Sequence, residues 1–348
     1  MTHGTLLACT LAEAQRRTGT RDDTPTVAAR LRESGAAGVC IVNARDRLHW
    51  LDTQHARGWL AADVKSPEDL ATRAEAALAQ GFVPADAILV ACMREPDALP
   101  LLSWGEQPPA VPTTPPAPRR LDLYAIVDSA ARLRRVLEAG VRTVQLRIKT
   151  PAAPDEGWRA LLRSEVQQAV ADSAAAGAEL FVNDHWQLAH ELGAPGVHLG
   201  QEDLLALGDG GRDQLLATGM ALGISSHSLW ELARARTLSP RYVACGPVWP
   251  TLTKDMPWLP QGLDNLAWWC RAAGAPVTAI GGILGTTQVQ AAARTGADGV
   301  CIVRGLGPDP RETLPGFEAA LRAGRADPLQ DLPAWPHPTL PHGPQDPA

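Results

Sequence analysis

The chain has 348 residues, 45% of them apolar, which is enough for two domains or for one large domain with an appendage. Its net charge of -6, with no concentrated basic run, argues against nucleic acid or an anionic membrane as partner, yet leaves small anions open because a site needs only a few local cations. No stretch approaches the roughly 18 uninterrupted apolar residues of a membrane span, and the first residues lack a charged-then-apolar leader, so a cytoplasmic protein is expected.

In chain order, residues 1–106 carry the blocks THGTLLACTLAEAQRRTGT, GAAGVCIV, HWLDTQHARGWL and AEAALAQGFVPADAILVACM. A linker over 107–120 follows, where PPAVPTTPPAPRR holds six prolines, too many for a helix or a central strand. A second proline-rich stretch predicts a disordered tail over 326–348. Between them, 121–325 has the size of one compact barrel or doubly wound domain. The six cysteines, Cys9, Cys40, Cys92, Cys245, Cys270 and Cys301, form no CxxC pair, so buried free thiols are expected before disulfides or zinc.

Within 121–325, short apolar runs recur as LYAIVD, TVQLRIK, LFVND, GVHLG, ALGISSH, YVACGPV, PVTAIGG and GVCIVRG. Stretches with helical spacing lie between most of them, for example SAARLRRVLEAG and SEVQQAVADSAAAG. This alternation predicts a parallel sheet covered by helices. Eight such units predict an α/β fold of the (β/α)8 TIM-barrel type, preceded by a small α/β fragment, in preference to an open sheet. The link between the third and fourth strands is short for either.

A barrel gathers its chemistry at the C-terminal strand ends. The second strand closes in QLRIK, which aims Gln145, Arg147 and Lys149 to one face and Leu146 and Ile148 to the other. Polar side chains there are costly unless something anionic meets them. Asp184 ends the third strand and Asp203 follows the fourth, two carboxylates suited to Mg2+, a hard ion that takes oxygen ligands and usually keeps waters and a phosphate. Either aspartate alone could instead cap the helix that follows. GPVWPTLTK after the sixth strand delivers Thr251, Thr253 and Lys254. In AIGGI, Gly281 and Gly282 allow backbone to approach a ligand, and glycine turns after the seventh and eighth strands are the usual phosphate site of this fold. No Ser/His/Asp or Cys/His set stands at convincing positions. His185, His198 and His227 read as packing or loop hydrogen-bonding residues.

The blocks QLRIK, NDHWQLA, GVHLGQEDL, GISSH, GPVWPTLTK, AIGGI and GADGV, in that order, resemble thiamine-phosphate synthase from Leu121 to about Leu321. MPWLPQGLDNL is similar to a loop of the bacterial members. The resemblance implies that Gln145, Arg147 and Lys149 grip the diphosphate of 4-amino-2-methyl-5-hydroxymethylpyrimidine diphosphate, with Asn183 on the same substrate. It implies Mg2+ on Asp184 and Asp203. Ser225, or Ser226 in another loop register, would contact the pyrimidine. Thr251 and Thr253 would meet the phosphate of the thiazole substrate and Lys254 the departing diphosphate, while Gly282, Val303 and Arg304 complete the thiazole-phosphate pocket. Arg147, Lys149, Lys254 and Ser225 would then be catalytic. Two positions depart from the family pattern. Arg304 stands where a small residue, often serine, is common, and apolar Ile148 stands where an acidic residue is frequent.

The N-terminal blocks resemble the C-terminal half of hydroxymethylpyrimidine (phosphate) kinase, a ribokinase-like fold. A complete kinase would need more than twice the length and a glycine-rich GTGC-type anion hole, where this chain reads AADVKSPEDLATRAEAAL. The resemblance implies a remnant without kinase activity, serving packing or oligomerisation. Two other classes stay open: a thiazole tautomerase-like barrel and a non-catalytic thiamine-precursor-binding protein. The expected partners are small phosphorylated substrates, with homo-oligomerisation open.

Overall fold

The computed structural model describes residues 5–43, 46–113, 120–251, 257–331 and 334–341. The N-terminal elements are β1 (Leu6–Cys9), α1 (Leu11–Thr18), α2 (Thr24–Glu33), β2 (Gly38–Ile41), β3 (Leu48–Thr53), β4 (Arg57–Ala61), α3 (Pro67–Ala79), α4 (Pro84–Cys92) and β5 (Leu101–Leu102). The helices start where the sequence supplies caps: Thr10, Asp23 and Ser66 each accept a hydrogen bond from the amide three residues on. The strands form one sheet in the order β1-β2-β3-β4-β5, parallel between β1 and β2 and antiparallel beyond. One sheet face buries Val39, Ile41 and Trp50 with Val27 and Leu31 of α2. Leu51 and Leu60 belong instead to the core that includes Leu70 of α3 and Ile88 of α4.

The following elements are β6 (Asp122–Val127), α5 (Ala130–Glu138), β7 (Thr143–Leu146), α6 (Glu156–Ala175), β8 (Glu179–Asn183), α7 (Trp186–Glu191), β9 (Gly196–Leu199), α8 (Gln201–Ala206), α9 (Gly208–Ala217) and β10 (Ala221–Ser226). Then come α10 (Leu229–Ala235), β11 (Tyr242–Cys245), α11 (Gly262–Ala272), β12 (Val277–Ala279), α12 (Thr286–Arg294), β13 (Gly299–Ile302) and α13 (Pro310–Ala326). Strands β6 to β13 are all parallel and close on themselves through β13 and β6, so the eight-stranded barrel read from the alternation is present. The short third-to-fourth link is accommodated by α7, a helix of 6 residues.

Strand alternation divides the barrel into two apolar layers. Val144, Leu146, Val182, Val197, Leu222, Ile224 and Val243 join the core shared with the surrounding helices. Tyr124, Ile126, Phe181, Tyr242 and Cys301 form a separate cluster inside the barrel. Gly223 makes room for that interior: a Cβ there would lie 2.4 Å from the Tyr242 hydroxyl oxygen.

Two boundary expectations meet different outcomes. Residues 114–119 of the linker lie outside the described residues. The expected disordered tail is corrected in part, because described residues 334–341 pack on the barrel. Thr339 is buried and its carbonyl accepts from Leu259 N at 2.9 Å, while His337 N donates to Asn265 Oδ1 at 2.8 Å. Proline-rich chain needs no internal hydrogen bonds, so it orders readily where a neighbouring surface supplies partners. The cysteines carry no disulfide, and all except half-buried Cys270 are buried. Among the described residues no helix is long and apolar enough to cross a membrane.

Candidate active site

A chain of hydrogen bonds crosses the barrel beneath its C-terminal mouth. Gln145 Nε2 donates to the Tyr124 hydroxyl at 3.0 Å, and the Tyr124 and Tyr242 hydroxyls share a bond of 2.7 Å. Tyr242 lies 2.8 Å from His198 Nδ1, whose Nε2 lies 3.0 Å from Ser225 Oγ. Five side chains from β7, β6, β11, β9 and β10 are thereby fixed relative to one another; all are buried except Ser225, which is half-buried. Burial, with the positive charge of Arg147 beside it, pushes the His198 imidazole down to about 3. Burial also pushes both phenols well above their ordinary range. The whole chain is therefore uncharged near neutrality.

Above it opens a cavity of about 380 Å³. Gln145 and Arg147 line it from β7 and the residue beyond, as the QLRIK alternation requires. Lys149 does not share that cavity: β7 ends at Leu146, so the strict alternation stops there. Lys149 lines an adjoining cleft of about 450 Å³, together with Arg132, Arg147, Arg304 and Asp128. Asn183, Asp184, Asp203 and Thr251 all reach the main cavity, and Ile126, Ile280 and Ile283 form apolar wall. Thr253 and Lys254 lie outside the described residues.

The two aspartates reach the cavity differently. Asp184 stands at the end of β8 with φ of 65°, a left-handed backbone that costs a non-glycine residue stability, and its amide donates to His198 O at 3.1 Å. It is not the N-cap of α7, a position held by His185. Asp203 sits in the first turn of α8, and its Oδ2 accepts from Gly200 N at 3.1 Å, so it also performs the helix-capping role weighed for it. Glu202, which the sequence reading passed over, lines the same cavity.

The choice between the two serines is settled in placement by strand parity. Ser225 points inward and lines the cavity. Ser226 points to the helices, fully buried, and its hydroxyl accepts from Trp269 Nε1 at 3.2 Å. Gly282, Val303 and Arg304 border the cavity on the β12–β13 side. The glycine pair serves packing there as well: Gly282 has φ of 71°, and a Cβ on it would lie 2.5 Å from Trp249 Cβ. The 247–250 loop thus lies against the glycines directly, while their backbone faces the cavity. His198, read from sequence as a packing residue, both packs and touches the site. Its inward parity in GVHLG was the available signal.

The donor set has the oxygen chemistry a hard cation takes. Asp184 and Asp203 offer carboxylate oxygens at one cavity, and among the described residues no group of three or more His, Cys, Asp or Glu residues forms a self-sufficient metal cage. Mg2+ commonly takes one or two carboxylates and completes its shell with water and substrate phosphate.

Residues 123–306 match the family model described as thiamine monophosphate synthase. The chain is 43% identical over 195 residues to the thiamine-phosphate synthase of Rhizobium etli, covering 55% of this chain and 91% of the relative. It is 40% identical over 202 residues to the thiamine-phosphate synthase of Neisseria meningitidis serogroup A, covering 57% and 94% respectively. Among solved structures it is similar to a thiamine phosphate pyrophosphorylase from Pyrococcus furiosus, with a TM-score of 0.50, 25% identity, and coverage of 59% of this chain and 98% of that one.

Proposed function

The chain belongs to the thiamine monophosphate synthase family of enzymes and forms thiamine phosphate in thiamine biosynthesis, and we propose that its barrel mouth does so by dissociative substitution. The substrates are 4-amino-2-methyl-5-hydroxymethylpyrimidine diphosphate and 4-methyl-5-(2-phosphoethyl)thiazole. The bond between the methylene carbon and the diphosphate oxygen breaks, and its electron pair leaves with the diphosphate. The aminopyrimidine delocalises the positive charge left on that carbon. The thiazole nitrogen lone pair then forms the new C–N bond, giving thiamine phosphate and diphosphate. No protein nucleophile is required, so the work of the chain is positioning and charge neutralisation.

The observation that carries this reading is the convergence of Arg147, Asp184, Asp203 and Ser225 on one cavity roofed by the Gly282–Arg304 side. Arg147 from the cavity and Lys149 from the adjoining cleft neutralise the leaving diphosphate, with Lys254 assigned the same task. Gln145 and Ser225, held by the buried hydrogen-bond chain, orient the pyrimidine. Asn183 contacts the same substrate. Thr251, Thr253, Gly282 and the Val303–Arg304 backbone anchor the thiazole phosphate, so that its ring nitrogen faces the methylene carbon. Asp184 and Asp203 would hold Mg2+, which when bound supplies further positive charge to the diphosphate.

Residues 1–106 are read as a kinase-like unit without phosphotransfer, because no glycine-rich anion hole precedes its later helices. The division into that unit, a linker at 107–120, a barrel at 121–325 and a tail from 326 follows the same reading, as does a cytoplasmic location.

Purified full-length protein supplied with both phosphorylated precursors and Mg2+ should form thiamine phosphate. Formation should cease with EDTA and in Asp184→Ala. Thiazole phosphate binding without product would leave a tautomerase-like or precursor-binding protein. Transfer of phosphate from ATP to hydroxymethylpyrimidine by the same preparation would overturn the account of residues 1–106.

A further inference from the structure

Helix α10 is buried along its whole length, from Leu229 to Ala235, whereas a barrel's outer helix ordinarily keeps one face in water. The covering layer is the N-terminal unit, and it grips both ends. At the start of the helix, Asp86 of α4, itself 2% exposed, accepts from Trp230 N at 3.0 Å. A carboxylate from a distant part of the chain thus satisfies a first-turn amide that the helix leaves open. At the far end, Trp104 Nε1 donates to Arg234 O and Thr237 Oγ1, each at 3.1 Å. The Arg234 guanidinium donates in turn to Ser103 O at 3.2 Å and Arg57 O at 2.7 Å.

The same helix holds the strand end that carries the site. Glu231 accepts from His227 N at 2.6 Å and lies 2.8 Å from His227 Nδ1. Gln201 Nε2 donates to Ser225 O at 2.9 Å and to Glu231 O at 3.2 Å. Ser225 and His227 both line the cavity. A series of rings runs beside these bonds. His55, in the turn between β3 and β4, lies 5.2 Å from Trp230, Trp230 lies 5.4 Å from Trp258, and Trp258 stacks on His227 at 5.2 Å and 9°.

We propose that the N-terminal unit is a positioning module for the barrel's active site: through Asp86 and the His55–Trp230–Trp258 rings it sets α10, and with it Ser225 and His227. The proposal rests on the synthase reading above. Its physical basis is that close-packed elements transmit displacement, and that a misplacement of about 1 Å at a reacting centre costs up to roughly 100-fold in rate.

The test is full-length Asp86→Ala beside Asp86→Asn, which keeps an acceptor oxygen. Asp86→Ala should lose about 10- to 100-fold in kcat/KM, with the KM for the pyrimidine diphosphate raised and that for the thiazole phosphate, anchored at β12 and β13, unchanged. Amide exchange over 225–235 should quicken while β6 to β8 keep their protection, and Asp86→Asn should restore most of both. General destabilisation would raise both KM values or quicken exchange throughout. A folded Asp86→Ala with wild-type exchange over 225–235 and wild-type kinetics would overturn the proposal. Should Asp86→Ala not fold, His55→Ala tests the ring series by the same two readouts, and an unchanged pyrimidine KM and exchange would overturn it equally. Wild-type protein that forms no product sinks the synthase reading itself, and the exchange comparison then decides the coupling alone.

Discussion

His198 Nε2 lies 3.0 Å from Ser225 Oγ, so an uncharged imidazole stands directly behind the serine that faces the cavity. Neighbouring Ser226, one residue on, turns its hydroxyl to Trp269 in the helical layer. The two serines therefore predict different phenotypes. Ser225→Ala should lower kcat/KM by about 10- to 1,000-fold, on the order of removing one oriented polar contact in an active site, and should also cost about 1–3 kcal/mol because buried His198 Nε2 loses its partner. Ser226→Ala should leave turnover unchanged but cost about 1–3 kcal/mol, because the Trp269 N–H loses its partner in the core. Steady-state kinetics separates the two, with urea unfolding checking the stability cost of each, and the reverse kinetic pattern would show that the inward serine has been misassigned.

The buried state of His198 also makes stability depend on pH. Its imidazole, pushed down to about 3 by burial, stays neutral in the fold, while in the unfolded chain it protonates near 6.5. Between those values the unfolded state binds more protons, so stability rises with pH and is lost as pH falls below 6.5. The loss is about 1.4 kcal/mol for each pH unit, or roughly 2 kcal/mol at pH 5. Burial lowers His49 and His55 too, which adds loss of the same sign. In His198→Asn, unfolding between pH 6.5 and pH 5 should take up about one proton fewer than in wild type. An equal slope would mean that His198 is already charged in the native protein.

The barrel itself was legible because its signal is local: each apolar run has the length of a strand, and alternation aimed Gln145 and Arg147 to one face, whereas the sequence left Ser225 and Ser226 open as alternatives. Lys149 was less legible, since parity holds only while the strand lasts and β7 stops at Leu146. The hydrogen-bond chain through Tyr124 and Tyr242 was not read, because Tyr242 opens its strand far from the mouth and its partners come from strands distant in sequence. For the same reason nothing in DAILVAC announced that Asp86 would meet α10, 144 residues away. The tail misled in the opposite direction, as proline content reports the lack of internal hydrogen bonds and says nothing of partners such as Asn265.

Asp184 combines the carboxylate proposed to hold Mg2+ with a left-handed backbone, φ 65°. Asparagine tolerates that conformation and alanine does not, so the two replacements should differ in stability while agreeing in activity. Both should reduce Mg2+-dependent turnover by at least about 100-fold through loss of a charged ligand. Only Asp184→Ala should unfold more easily, by about 1 kcal/mol. Equal melting temperatures for the two variants would mean that the backbone has relaxed out of the left-handed region.

Arg304, which the resemblance singles out as a departure, borders both the main cavity and the adjoining cleft, the latter with Arg132, Arg147 and Lys149. A guanidinium there adds a charge-assisted donor for a phosphate, worth about 1.5–3 kcal/mol when the bond forms. Arg304→Ser should therefore raise the KM for the thiazole phosphate by roughly 10- to 100-fold and leave kcat within about twofold, the signature of binding shared by ground and transition states. Because the side chain is exposed, salt should weaken the wild-type advantage, and the two KM values should converge as ionic strength rises. A lower KM in Arg304→Ser would carry the opposite meaning: the long side chain occupies the phosphate pocket and must move aside before the thiazole can bind.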